Sequence, residues 1–277
     1  MNLITTGATE PAAFPRLARS GRASACLAVA RRAEAGVWGG APVYDRTPMQ
    51  AFDVDLGESG QVGARIYEAA APRAGVTLVL AHGAGAPHTS PFMLAFAEAL
   101  AARGLDTATF NFPYMEARRR VPDRGPVLEA CYAAIVRRLA ARPGLEGNRM
   151  VIGGKSMGGR IASQMAAHDG ETSRLVAGLV FLGYPLHPPG RPDQLRTRHL
   201  PAITQPILCV QGERDPFGTP DELKPIFAGL PVDVELEIVA GGDHSFKVTR
   251  KQGPPQAEVH ARVQDAIAGW INRLDAR

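Results

Sequence analysis

Beyond position 50 the apolar and polar residues follow a rhythm whose period changes along the chain. Residues 51–56 and 62–68 alternate apolar with polar, separated by Gly57-Glu58-Ser59-Gly60, which predicts an antiparallel hairpin at a sheet edge. Residues 76–81 form an unbroken apolar run, the pattern of a strand covered on both faces. The spacing then becomes helical over 92–103 and stops at Gly104. The same alternation of strand and helix recurs. Strands are predicted at 107–112, 149–153, 175–182, 206–210 and 234–239, and helices at 127–141, 157–168, 221–228 and 256–274. Strand followed by helix, repeated after an opening hairpin, predicts an α/β fold: a mostly parallel central sheet with helices on both faces. The connections are short except near 113–124 and 183–199, so no large lid is expected.

Residues 1–48 break this rhythm. They mix Pro, Gly, Ser, Ala and Arg, with one short amphipathic piece at 23–35. They are expected to be an N-terminal extension, loosely structured or placed before the true start of translation, with one domain over 49–277. The Arg31-Arg32 pair has no hydrophobic stretch behind it, and no apolar run reaches the roughly 18 residues of a membrane span. A cytoplasmic protein without membrane contact is the expectation. The three cysteines, Cys26, Cys131 and Cys209, have no metal-binding spacing, and no metal is expected.

Composition narrows the class further. Apolar residues make up 45% and charged residues 21% of the 277, as in a globular chain with a sizeable core. The net charge is +4, but the basic residues are scattered and not interleaved with aromatics, so no nucleic-acid partner is expected.

The chemistry sits at the ends of predicted strands. Gly154-Lys155-Ser156-Met157-Gly158 is a G-x-S-x-G sequence between a strand and a helix, the setting of a nucleophile elbow. His82-Gly83-Ala84, Asp215 and His244 also follow directly on strands, where open α/β sheets bind ligands. A serine hydroxyl needs a neighbouring base, and an imidazole needs a carboxylate to fix its tautomer and stabilise its cation. Ser156 is therefore the expected nucleophile, His244 the base and Asp215 the acid, with Glu213 and Asp243 as competitors for the acid. The expected oxyanion donors are the N–H groups of Met157 and Ala84. Gly83 and Tyr114 are expected to touch substrate, and His82 to be structural. Lys155, Arg160 and Lys247 flank these positions. Solvated charges or packing ion pairs are the preferred reading for them, an acidic substrate the other, and the 118–124 loop is read in the same two ways.

Residues 80–86, 110–114, 153–160 and 242–246 resemble the α/β-hydrolase superfamily, in the branch of the testis-expressed protein 30 and non-specific-lethal complex subunit 3 domains, often labelled dienelactone-hydrolase-like. The resemblance covers about residues 50–277. It implies the α/β-hydrolase fold and Ser156, Asp215 and His244 as a triad working without a cofactor. This chain carries Ser156 where dienelactone hydrolases proper use cysteine. The expected activity is cleavage of a small-molecule ester or thioester. A peptidase, or a non-catalytic interaction module on the same fold, are the alternatives.

Overall fold

A computed structural model describes residues 48–168, 170–249 and 253–274. Most of the expected N-terminal extension, with Cys26 and the Arg31-Arg32 pair, lies outside the described residues. The hairpin is formed by β1 (Met49–Asp55) and β2 (Gln61–Tyr67), paired antiparallel with Phe52 opposite Ala64. The remaining strands are β3 (Val76–Ala81), β4 (Asp106–Phe110), β5 (Arg149–Lys155), β6 (Val176–Leu182), β7 (Ile207–Gly212) and β8 (Val234–Val239). They form one eight-stranded sheet in the order β1-β2-β4-β3-β5-β6-β7-β8. From β4 to β8 every pairing is parallel. This is the α/β architecture that the alternating strand and helix patterns predict.

Successive side chains of a strand point to opposite faces, and β3 shows the result. Val79 and Ala81 enter one core with α3 (Gly125–Ala140), α4 (Met157–Ala166) and α6 (Pro220–Ala228). Leu78 and Leu80 enter the other core with α1 (Pro91–Ala101) and α7 (Gln256–Arg273). All six residues of β3 are buried, and each fully buried Val or Leu stabilises the fold by on the order of 1.5–3 kcal/mol. Tyr132 of α3 ties the two central strands together. Its hydroxyl accepts from the Gly153 N–H (2.9 Å) and lies 2.7 Å from the Gly153 carbonyl and 2.8 Å from that of Val79.

Two short helices depart from the expected pattern. The strand expected over 107–112 ends at Phe110, because Pro113 begins α2 (Pro113–Glu116) with Phe112 extended as its N-cap. Proline suits the first turn of a helix, where its missing N–H would have no acceptor. A single turn, α5 (Glu171–Arg174), precedes β6. The strand leading to the elbow runs to Lys155, two residues beyond its expected end. Among the described residues no helix is long and apolar enough to cross a membrane.

Candidate active site

β5 lies between β3 and β6, so the turn leaving it opens at the centre of the sheet's carboxyl edge. Ser156 occupies that turn with φ 53° and ψ −116°, a left-handed conformation that costs a non-glycine residue energy. The packing around it tolerates no side chain on either flank. A Cβ on Gly154 or on Gly158 would lie 2.3 Å from the Ala81 carbonyl oxygen. Glycine at both positions lets the elbow press against β3 while it lifts the serine into the cleft.

The loops after β7 and β8 bring the other two residues to it. His244 Nε2 lies 2.8 Å from Ser156 Oγ, and His244 Nδ1 lies 2.7 Å from Asp215 Oδ2. The carboxylate has no hydrogen to offer, so Nδ1–H donates to Asp215, and Nε2 is left to accept the serine proton. Asp215 is buried, and its two oxygens take further donors, Gln211 Nε2 at 2.8 Å and the Phe217 N–H at 2.9 Å. The competitors are engaged elsewhere. Asp243 Oδ1 accepts from the N–H groups of Ser245 and Lys247, and Glu213 Oε2 from the Gly241 N–H.

A cavity of about 600 Å³ opens in front of Ser156 and His244, lined also by Gly83, Ala84, Met157 and Phe217. Met157 is the first residue of α4, so its N–H has no acceptor within the helix. Among the described residues no group accepts from the Ala84 N–H either. Both residues line the cavity together with Ser156.

Tyr114 requires a correction. Expected to touch substrate, it is fully buried and lies outside the cavity lining. Its hydroxyl donates instead to the Ala84 carbonyl at 2.9 Å, bracing the loop from behind, and burial raises its pKa to about 12. His82 is structural as expected. Its Nδ1–H donates to the Gly83 carbonyl (2.7 Å), and its Nε2 accepts from the Phe112 N–H (3.1 Å). That pattern needs a neutral ring, and burial lowers the pKa to about 4.

Of the flanking cations, Lys155 and Arg160 line the cavity and Lys247 does not. In the 118–124 loop, Arg119 pairs with Asp123 at 2.7 Å, and Pro122 and Asp123 reach the cavity rim. Sequence reasoning missed two residues. Phe217, two places after the acid, lies over the His244 imidazole with ring centroids 4.2 Å apart. Gln211, inside an apolar strand, holds the Asp215 carboxylate, and a lone amide in such a run was the signal available.

A sequence profile of the alpha/beta hydrolase domain family matches residues 74–272, and the chain belongs to that family. Solved structures share its fold. An alpha-beta serine hydrolase homologue from Coxiella burnetii is 20% identical, with TM-score 0.63, over 79% of this chain and 96% of that one. A dienelactone hydrolase from Anabaena variabilis is 22% identical, with TM-score 0.64, over 80% and 96%. A Xanthomonas campestris protein described as a serine hydrolase without lid is 19% identical, with TM-score 0.61, over 83% and 98%.

Proposed function

We propose that this protein is a serine hydrolase that transfers the acyl group of a small carboxylic ester or thioester to water. The observation that carries the reading is the hydrogen-bonded line Ser156 Oγ–His244–Asp215, at 2.8 and 2.7 Å, opening into a cavity. Ser156 Oγ bonds to the substrate carbonyl carbon while its proton passes to His244 Nε2. The carbonyl oxygen becomes an oxyanion facing the N–H groups of Met157 and Ala84. Asp215 stabilises the imidazolium formed beside it. Collapse of the tetrahedral species expels the alcohol or thiol, which leaves with the His244 proton. Water then repeats the sequence on the acyl-enzyme, releasing the acid and restoring Ser156.

No inserted helical lid covers the cavity among the described residues, which favours small substrates. The structural neighbours described as a serine hydrolase without lid and as a dienelactone hydrolase support the reading. Membership of the testis-expressed protein 30 branch and a cytoplasmic setting belong to the same proposal, as does a single hydrolase domain over 49–277.

A fluorophosphonate probe and a series of short 4-nitrophenyl esters test it. The wild type is expected to label at Ser156 and to turn over the esters, and Ser156→Ala to do neither. Equal rates for the two proteins, or no labelling of the wild type, would leave a binding module. Cleavage of matched amides at comparable kcat/KM would make it a peptidase.

A further inference from the structure

Arg160 lies one helical turn beyond Ser156 on α4, its N–H donating to the Ser156 carbonyl at 3.1 Å. Both residues line the same cavity. The surroundings of this guanidinium are those of a cation without its anion. Its Nε is buried with no hydrogen-bond partner, and among the described residues its side chain hydrogen-bonds only Gln164, Nη1 to Oε1 at 3.2 Å. A second guanidinium, Arg196, lines the same cavity and among the described residues donates only to the Pro185 carbonyl, at 3.4 Å. Among the described residues neither forms an ion pair. Glu129, a carboxylate acting on Arg160, is hydrogen-bonded to His168 Nε2 at 2.7 Å. Asp123, on the rim of the cavity, is paired with Arg119. Burial, and after it the charge of Arg196, lowers the Arg160 pKa, the sign of a site that disfavours two unneutralised cations.

Half-buried cations held beside each other cost free energy unless an anion joins them. The fork of an arginine matches the paired oxygens of a carboxylate or phosphate. We propose that the substrate carries an oxyanionic group, a carboxylate or a phosphate, close to its scissile carbonyl, and that Arg160 and Arg196 receive it. This specifies the substrate class of the hydrolase reading above and rests on it. Arg160 follows Ser156 by four residues, its N–H bonded to the Ser156 carbonyl, and both line the one cavity. The anionic group therefore stands a few bonds from the ester carbonyl, as in the half-ester of a short dicarboxylic acid.

The test compares mono-4-nitrophenyl glutarate with the same ester whose free carboxylate is capped as a methyl ester, after subtracting the rate with Ser156→Ala. The wild type is expected to favour the anionic ester in kcat/KM by about ten-fold or more, the scale of one charged hydrogen bond. In Arg160→Gln and Arg196→Gln the ratio is expected to fall toward one. A purely structural effect would lower both rates and leave the ratio unchanged, and that result, or a wild-type ratio near one, overturns the proposal. If the wild type cleaves neither ester, the hydrolase reading fails, and the anion site is judged by Tm instead. Stabilisation by glutarate or by inorganic phosphate in the wild type but not in Arg160→Gln sustains the site and tells the two anions apart. The absence of stabilisation by either removes it.

Discussion

Lys155 Nζ donates to the backbone carbonyl of His244, joining the residue before Ser156 to the imidazole that faces it. The ammonium is buried between the rings of Phe92 and Phe246, 5.8 Å from each centroid. Burial lowers its pKa to about 8, against the opposing pull of Asp215 and Asp243. Lys155 touches no reacting atom in the proposed steps and is a positioning residue. Lys155→Met is expected to lower kcat by roughly ten-fold, because misplacing a catalytic group by a fraction of an ångström is costly. It is also expected to change the pH profile of stability. The folded pKa lies below the unfolded value of 10.5, so the wild type gains stability as pH rises from about 8 toward 10.5. Urea unfolding at several pH values should show that rise in the wild type and its loss in the variant. A rise of equal size in both would refute this assignment.

Tyr114→Phe separates bracing from binding. Removing the hydroxyl frees the Ala84 carbonyl and loosens the loop that holds one of the proposed oxyanion donors. Complete loss of such a donor costs on the order of a hundred-fold or more in kcat, so loosening one is expected to cost about three- to ten-fold. KM should stay nearly constant. Steady-state kinetics showing a raised KM at unchanged kcat would return Tyr114 to the substrate pocket.

Gly158→Ala tests the elbow's packing. The new Cβ would meet Ala81 O at 2.3 Å, Ala81 C at 2.6 Å and His82 O at 2.8 Å, all backbone atoms that cannot swing aside. The expected cost is about 3 kcal/mol or more in urea unfolding, with probe labelling of Ser156 lost. An unchanged midpoint would mean that β3 yields more readily than these contacts allow.

Acid should weaken the fold through its buried imidazoles. His82, His88 and His199 are all lowered to about 4, in each case chiefly by burial. An unfolded histidine binds its proton near pH 6.5, so their stabilisation is complete above that value and lost as pH falls toward 4. For His82, which is fully buried, the loss amounts to about 3 kcal/mol. Denaturant midpoints should fall across this window, and His82→Gln should flatten part of the slope. A flat wild-type profile between pH 6.5 and 4 would contradict the neutral, doubly bonded His82.

Much of this candidate site was legible because each proposed reactive residue lies in the turn or loop after a strand, and strands buried on both faces advertise themselves as apolar runs. Ser156, Asp215 and His244 could be located without knowing which strands are neighbours, since every parallel strand opens onto the same edge. What the sequence withheld depends on direction rather than order. Tyr114 follows a strand as Asp215 does, yet α2 turns its ring inward. Lys155 and Arg160 both flank Ser156, yet one is spent on His244 and the other meets the cavity unpaired. One-turn helices such as α5 are too short to show a period.

Gln211 gives its amide group to Asp215 Oδ2 (2.8 Å) and to the Gly218 carbonyl (2.7 Å), and its oxygen accepts the Tyr184 N–H (2.7 Å). Asp215 therefore closes a loop of the fold as well as serving His244. In a descendant that did not need the proposed reaction, Ser156 and His244 would be free to drift. Asp215 would still be needed as the acceptor that Gln211 and the Phe217 N–H were built around. In such a lineage Asp215 would outlast the proposed reaction, a relic that marks where the candidate site had been.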